Sequence, residues 1–165
     1  MSDHRAIQSD QLDAVSDPAA SKARLRLWLK LLKATKHVEG ELRESFRTDF
    51  DTTLPRFDVM AALDRVEAGL KMSELSSVLR VSNGNVTGIV DRLVDDGVLV
   101  RVPVDHDRRA TTVRLTRAGK EQFAAMAAKH EAWIDEMLGA VDASEIQAMS
   151  DQLERIASKR NKKDT

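Results

Sequence analysis

The 165-residue chain contains no cysteine. That absence excludes a disulfide framework, a thiolate-ligated zinc or iron–sulfur centre, a cysteine nucleophile and a thiol redox switch. No apolar run approaches the roughly 20 residues of a membrane span. The opening stretch, MSDHRAIQSDQLDAVSDPAA, has no apolar core of a secretory signal, so the expected setting is soluble, reducing and cytoplasmic, with no membrane partner. Catalytic signatures are missing as well: there is no Gly-rich phosphate loop, no G-x-S-x-G and no H-E-x-x-H. His4, His37, His106 and His130 are scattered along the chain, and the paired carboxylates Asp95-Asp96 and Asp105/Asp107 fall at a helix end and in a hairpin. No enzyme, metal site or cofactor is expected. A large charge excess is also lacking, since 26 basic and 27 acidic residues leave a net charge of −1.

What is present is 42% hydrophobic and 32% charged residues, enough for one folded domain or two small ones sharing a core. The near-neutral total hides an uneven distribution. Residues 1–69 hold 11 basic and 12 acidic groups, residues 70–120 hold 9 and 6, and residues 121–165 hold 6 and 9. A basic island therefore lies between acidic flanks. On its own such an island is more often a solvated face than a binding site.

Residues 1–18 are polar and aperiodic and read as a mobile arm ending at Asp17-Pro18. From Ser21 a long helix is expected. One apolar stripe runs Leu25, Trp28, Leu32, Thr35, Leu42, Phe46 and a second runs Leu27, Leu31, Ala34, Val38. Two stripes imply burial on two sides, as when a helix touches its own core and a partner. Gly40 is a candidate kink. Thr53 is expected to cap a second helix with Pro55 in its first turn, Phe57, Met60, Ala61, Leu63 and Val66 along it, and Gly69 as its stop. Ser73-x-x-Ser76 opens a short helix with Leu75, Val78 and Leu79 inward. A turn at Val81-Ser82-Asn83 follows, with Ser82 or Asn83 capping a helix that buries Val86, Ile89, Val90 and Leu93 and stops at Asp96-Gly97.

The period then changes from 3.6 to 2. Residues 98–104 and 111–115 read as two strands, with 105–110 as a charged loop tip. Thr116 caps a long helix carrying Phe123, Met126, His130, Trp133, Met137 and Leu138. Asp142 or Ser144 starts a final helix with Ile146, Met149, Leu153 and Ile156, and a short basic run closes the chain.

Helix, tight turn, helix and a two-stranded ribbon with a basic tip make a winged helix-turn-helix. The fold class is therefore mainly α with a small β-hairpin wing. The second helix leaves Ser82, Asn83, Gly84, Asn85, Thr87 and Gly88 outward on its N-terminal half. Asn pairs bidentately with adenine, Ser and Thr bond bases or phosphates, and the Thr methyl meets the thymine methyl. The two glycines each cost roughly 1 kcal/mol of helix propensity relative to alanine. On an exposed face they let the helix backbone approach DNA closely, and the helix N-terminus suits phosphate. Arg108 and Arg109, flanked by Arg101 and Arg114, suit a narrow A·T-rich minor groove. Asp107 beside them fits if it orients an arginine.

These residues resemble the MarR (multiple antibiotic resistance regulator) family. The matching features are L-x-x-x-L-x-V-S (Leu75, Leu79, Val81, Ser82), V-T-x-I-V-D-R-L (Val86 to Leu93), D-G-V-L (Asp96 to Leu99), D-R-R (Asp107 to Arg109) and L-T-x-x-G (Leu115 to Gly119). The resemblance spans about residues 21–158 and is densest over 70–120. It implies a flexible arm at 1–20, a helical dimerisation region at 21–52 and 117–158, a winged helix-turn-helix DNA-binding domain at 53–116 and a basic tail at 159–165. It implies a homodimer on a double-stranded, pseudo-palindromic operator, read by Ser82, Asn83, Asn85, Thr87 and Arg92. The family's wing motif puts Arg109 in the minor groove with Asp107 bracing it, and leaves Arg108 to phosphate or solvent. Members of the family are usually repressors released by a small molecule, here expected to be an anionic aromatic acid or its CoA thioester. Trp28, Arg43, Phe46, Arg47, Phe57, Met60 and His130 are the candidate effector residues. Core packing for the apolar ones, and a solvated face paired with Glu39, Glu41 and Glu44 for the arginines, are the competing readings. An activator of the same family, or a winged helix that binds protein instead of DNA, remain alternatives. The latter predicts acidic or apolar residues where Ser82-Asn83-Gly84-Asn85 stands.

Overall fold

Helical spacing over most of the chain and one switch to period two translate, among the described residues, into six helices and a small sheet. The computed structural model describes residues 17–104 and 107–158, with the backbone alone at Val104 and at residues 107–110. The expected arm over residues 1–16, the loop residues Asp105 and His106 and the basic run over 159–165 lie outside the described residues. The order is α1 (Pro18–Phe50), α2 (Leu54–Asp64), β1 (Leu70–Lys71), α3 (Met72–Leu79), α4 (Asn83–Asp95), β2 (Leu99–Val104), β3 (Asp107–Leu115), α5 (Arg117–Leu138) and α6 (Ala143–Ser158). The three strands form an antiparallel sheet in the order β1-β3-β2.

The chain divides into two units, one ending at Glu39 and one beginning at Gly40. In the first, α1 presents Leu25, Leu27, Trp28 and Leu29, each between 51% and 58% exposed. The helix itself runs through Gly40 unbroken. In the second unit α2 packs against α3, α4, α5 and β3. Its core is Leu42 and Phe46 from α1, Phe57, Val59, Met60 and Leu63 from α2, Leu75 from α3, and Val86, Val90 and Leu93 from α4. Leu99, Val113 and Met126 complete it.

The ends of the elements have local causes. Thr53 stands at the start of α2 with Pro55 in the first turn, but its hydroxyl caps nothing; its carbonyl accepts the Arg56 and Phe57 N–H groups at 3.0 and 3.2 Å. The helix stops at Asp64 and not at Gly69. Gly69 instead closes a turn onto the Val66 carbonyl at 2.8 Å and feeds β1, a strand the sequence pattern did not announce. With φ at +82° and a hypothetical Cβ only 2.5 Å from the Val113 carbonyl oxygen, that position requires glycine. Val78 was expected inward and is 57% exposed. The buried face of the eight-residue α3 is Leu75, Ser76 and the half-buried Leu79, and Val78 lies on the other side of Leu75 from them.

The ribbon differs from expectation at its tip. β3 starts at Asp107, four residues earlier than expected, so Asp107, Arg108 and Arg109 belong to a strand and not to a loop. Pro103 pairs with Thr111 while the next residue, Val104, pairs with Asp107. Arg108, Arg109 and Ala110 thus stand between the partners of two consecutive residues, an outward excursion of the strand.

Thr116 caps α5, its Oγ1 accepting the Gly119 N–H at 3.0 Å. Asp142 caps α6 by accepting the Ser144 and Glu145 N–H groups at 2.9 and 3.0 Å, while Glu145 accepts the Asp142 N–H in return at 3.1 Å. The hydrogen bond from the Ser144 hydroxyl, followed by the Glu145 N–H, holds the Asp142 carboxyl below its ordinary range. Along α6, Ile146, Met149, Leu153 and Ile156 form a stripe that is 46% to 59% exposed.

A Cβ on Gly119 would stand 2.1 Å from the Val98 carbonyl oxygen, whereas one on Gly84 would meet nothing within 4 Å. Gly119→Ala is therefore expected to lower unfolding free energy by about 1–3 kcal/mol, measured by urea denaturation. An unchanged midpoint would show that α5 and the ribbon are not locked at this contact.

Candidate nucleic-acid interface

The interface is built on α3, the turn after it, α4 and the β2–β3 ribbon. Leu75, Val86, Val90 and Leu93 are fully buried and seat α4 against α3 and α2. Between the helices Arg80 adopts a left-handed conformation (φ 55°), its N–H reaching the Ser77 carbonyl at 3.3 Å while Val81 N–H reaches that of Ser76 at 3.2 Å. This is a helix-turn-helix corner made without glycine, at a strain of about 1 kcal/mol. The buried Ser76 hydroxyl ties the corner together, its single proton shared between the Met72 carbonyl at 3.0 Å and Asn83 Oδ1.

That bond changes the reading of Asn83. Its amide oxygen is held by Ser76, so one edge of the side chain serves the corner and leaves only the NH₂ group outward. Ser82 occupies the start of α4 but its hydroxyl makes no cap; its carbonyl accepts the Val86 N–H at 3.2 Å. Thr87 Oγ1 donates to the Asn83 carbonyl at 2.8 Å, which leaves its oxygen free to accept. Ser82, Asn83, Gly84, Asn85, Thr87, Gly88 and Arg92 are all exposed, while Ile89, expected inward, is half-buried. Residues 81–90 carry no charge at all, so this face offers only neutral donors, acceptors and methyl groups.

Asn85, Gly88 and Arg92 share one face at helical spacing. With Ile89 they line a groove of about 520 Å³ whose other wall is Pro55 and Asp58 of α2 and Leu79 and Val81. Gly84 and Gly88 have open space where a side chain would stand, so packing inside the protein does not demand glycine at either. The fold therefore does not account for their helix-propensity penalty.

Two cross-element ion pairs fix α4. Arg101 of β2 holds Asp91, and Arg56 of α2 holds Asp96 at the end of the helix. Arg101, expected to flank the wing arginines, is thus committed to α4, whereas Arg114 is exposed on β3 opposite Val100. The side chains of Asp107, Arg108 and Arg109 lie outside the described residues; their backbones follow β3.

The candidate effector residues do not lie together at an open surface. Phe46, Phe57 and Met60 are buried core. Phe46 meets Phe57 with ring centroids 4.6 Å apart and Trp133 edge-on at 5.1 Å, and Phe57 meets His130 at 4.9 Å and Phe123 at 5.5 Å. Sequence periodicity placed these rings on three helices but did not show that they fill the space between them. His130 and Trp133 are half-buried at the edge of the cluster, as is Phe50, 6.1 Å from Trp133. Arg47 donates to Glu44 through Nε at 3.0 Å; that bond holds the Glu44 carboxyl below its ordinary range and Arg47 above its own. This is the surface ion pair the bland reading expected. Arg43 is exposed on the same helix, and Trp28 is exposed in the first unit.

The corner, the neutral outward face of α4 and the ribbon define a winged helix-turn-helix DNA-binding protein. A family model described as "MarR family" matches residues 50–110. The transcriptional activatory protein BadR of Rhodopseudomonas palustris is 34% identical over 90 residues, covering 53% of this chain and 51% of that protein. The multiple antibiotic resistance protein MarR of Escherichia coli is 31% identical over 90 residues, covering 54% of this chain and 62% of that protein. The crystal structure of a MarR family transcriptional regulator from Silicibacter pomeroyi superposes with a TM-score of 0.75 at 32% identity, over 87% of this chain and 99% of that one. The chain belongs to the MarR family, whose members are DNA-binding transcriptional regulators and not enzymes. It spans about half the length of the first of these curated relatives, and less than two thirds of the second. Among the described residues no helix is long and apolar enough to cross a membrane.

If glycine at 88 serves DNA approach, Gly88→Ala should stabilise the free protein by about 1 kcal/mol and weaken its binding to specific DNA. Thermal melts and anisotropy titrations on one preparation check both. Stabilisation with undiminished affinity would show that the α4 backbone does not approach DNA at this point.

Proposed function

We propose that this chain is a ligand-responsive, sequence-specific regulator that acts as a homodimer. It represses from a pseudo-palindromic operator and is released by a small anionic aromatic effector, a phenolic acid or its CoA thioester. The observation that carries the DNA reading is the uncharged, glycine-interrupted outward face of α4 beside an arginine-bearing ribbon. In this reading Asn85, Thr87 and Arg92 contact base edges from the major groove. Ser82 and the free amide of Asn83 contact the backbone, and Arg109 enters the minor groove with Asp107 bracing it and Arg108 on phosphate.

Dimerisation is supported by the exposed apolar stripes of α1 and α6, which a monomer would leave in water. Two-fold symmetry then sets half-sites about one helical turn, roughly 10 bp, apart. Because Phe46, Phe57 and Met60 fill the core, the effector is proposed to engage the half-buried edge of the aromatic cluster at Phe50, His130 and Trp133, with Arg43 and Arg47 near its anionic group. A hundredfold loss of operator affinity requires a coupling of only about 2.7 kcal/mol. An activator is the second reading, favoured by the 34% identity to a protein named as an activator. The sign depends on where the operator lies relative to the promoter.

The deciding experiment is an anisotropy titration of the full chain with the DNA upstream of its own gene, repeated with phenolic acids and with their CoA thioesters. Release by a thioester but not by the free acid would assign the arginines to phosphate; no release by any compound would remove this effector class. Arg109→Ala is expected to weaken operator binding at least about tenfold and leave the sedimentation coefficient unchanged. Asn85→Ala should relax sequence preference more than it weakens binding to random DNA. Equal affinity of Arg109→Ala and wild type would refute the wing assignment.

A further inference from the structure

Two exposed asparagines stand near the start of α4, and the fold treats them differently. The Asn85 side chain has no partner among the described residues, so its oxygen and its NH₂ group are both available to an outside surface. Asn83 Oδ1 is held by the hydroxyl of Ser76 on α3. Ser76 is only 8% exposed and lies with Leu75 on the buried face of that helix. An approaching DNA surface meets Asn83 and not the serine behind it.

The serine does not need Asn83 in order to be buried. A hydroxyl inside a helix is satisfied by the carbonyl one turn back, and the Met72 carbonyl stands at 3.0 Å. An alanine on this face of α3 would bring no polar group to satisfy at all. The consequence of the second contact therefore falls on Asn83. An asparagine amide free to turn about its last bond offers either a donor edge or an acceptor edge. With Oδ1 taken up by Ser76 the two edges are no longer interchangeable, and only N–H groups are presented outward. Such a side chain cannot make the two-point contact with adenine, which needs one donor and one acceptor. It suits a partner that only accepts, and phosphate oxygens are of that kind. The backbone of Asn83 is tied as well, its carbonyl accepting the Thr87 hydroxyl at 2.8 Å.

We infer that Ser76 is a positioning residue for DNA recognition: by holding Asn83 Oδ1 it makes Asn83 a fixed donor to a phosphate oxygen at the start of α4, and it leaves the reading of adenine to Asn85. The inference rests on the DNA reading of α4 and adds a residue that acts on it from inside the fold. A phosphate contact fixes where the helix sits without preferring a sequence, whereas a contact to a base edge prefers one. One buried hydroxyl thus gives two like side chains two different tasks.

The test is a double-mutant cycle on the full chain, read by fluorescence anisotropy with a random-sequence duplex and with the DNA upstream of its own gene. Ser76→Ala and Asn83→Ala should each weaken binding to both duplexes by about three- to tenfold, with the ratio between the duplexes unchanged. The double variant should bind like Asn83→Ala alone, because without the amide the serine has nothing to hold. Asn83→Asp still accepts the Ser76 proton but turns an anionic oxygen outward, and should bind more weakly than Asn83→Ala. Thermal melts check that each variant is folded. Losses that add in the double variant would show that Ser76 acts through the stability of α3, and would overturn the inference. Ser76→Ala that binds like wild type, or Asn83→Asp that binds no more weakly than Asn83→Ala, would overturn it too. A ratio that shifts in Asn83→Ala would make Asn83 a reader of bases, with the same result. Asn85→Ala, measured alongside, lowers the ratio if α4 reads DNA, so failure of the inference and failure of the DNA reading are told apart. Wild type that binds neither duplex would overturn both.

Discussion

The peptide of Val98 is the point on which the second unit turns. Its N–H donates to the Leu93 carbonyl at 2.9 Å, closing the end of α4, and its carbonyl accepts the Thr116 N–H at 3.0 Å, opening α5, while the single proton of the Thr116 hydroxyl lies between the Gly97 carbonyl at 2.8 Å and the Val98 carbonyl at 3.1 Å. Its side chain is buried, and the next residue begins β2. Buried backbone donors and acceptors must be paired. Here the pairing joins the end of the recognition helix, the root of the wing and the start of the long helix in one residue. Gly119 completes the joint by leaving out the Cβ that would collide with the same carbonyl. The ribbon, α4 and the first turn of α5 are therefore tied together at this residue. The Arg101–Asp91 and Arg56–Asp96 pairs brace α4 from the ribbon and from α2.

A DNA-binding protein of net charge −1 needs a division of labour. Affinity for DNA in general comes from cations facing phosphates, and sequence preference comes from contacts to base edges. Residues 81–90 hold no charge, so the front of α4 contributes little to the first and is suited to the second. Arg92 supplies a cation in its last turn, and Arg108 and Arg109 belong to β3. Asp91 and Asp96 would oppose phosphate if they were bare, and each is instead held by an arginine of another element.

Much of this was legible in residue order, for identifiable reasons. α4 could be read end to end because strong signals agree: the apolar spacing of Val86, Val90 and Leu93, and Gly97 with φ at +71° just past its end. Thr116 was legible as a cap because a hydroxyl before a helical run has one common use. β1 was not, since two residues carry no period and Leu70-Lys71 becomes a strand only by pairing with Val113 and Thr112. Val78 misled because, in a helix of two turns, spacing alone does not say which side faces the core. The tip of the ribbon was drawn as loop because consecutive charges resemble one; register, which is a relation between strands, decided otherwise. The aromatic residues were placed correctly on their helices, but periodicity cannot distinguish a ring that lines a cavity from one that fills it.

That filling bears on how a ligand could act. Phe46 of α1, Phe57 of α2 and Phe123, His130 and Trp133 of α5 leave the cluster tightly stacked, each ring pair adding about 0.5–1.5 kcal/mol beyond burial. A molecule seated at the half-buried edge would have to displace part of this packing. The consequence need not travel far. Phe57 is adjacent in sequence to Arg56, whose guanidinium holds Asp96 at the end of α4. One residue of α2 thus stands in the aromatic cluster while its neighbour braces the recognition helix. Tilting α2 to admit a ring at the edge would pull directly on that brace. For the proposed effector response, an element touching both sites replaces any long chain of relays, and a few kcal/mol of lost ring packing is on the scale needed to shift operator affinity a hundredfold.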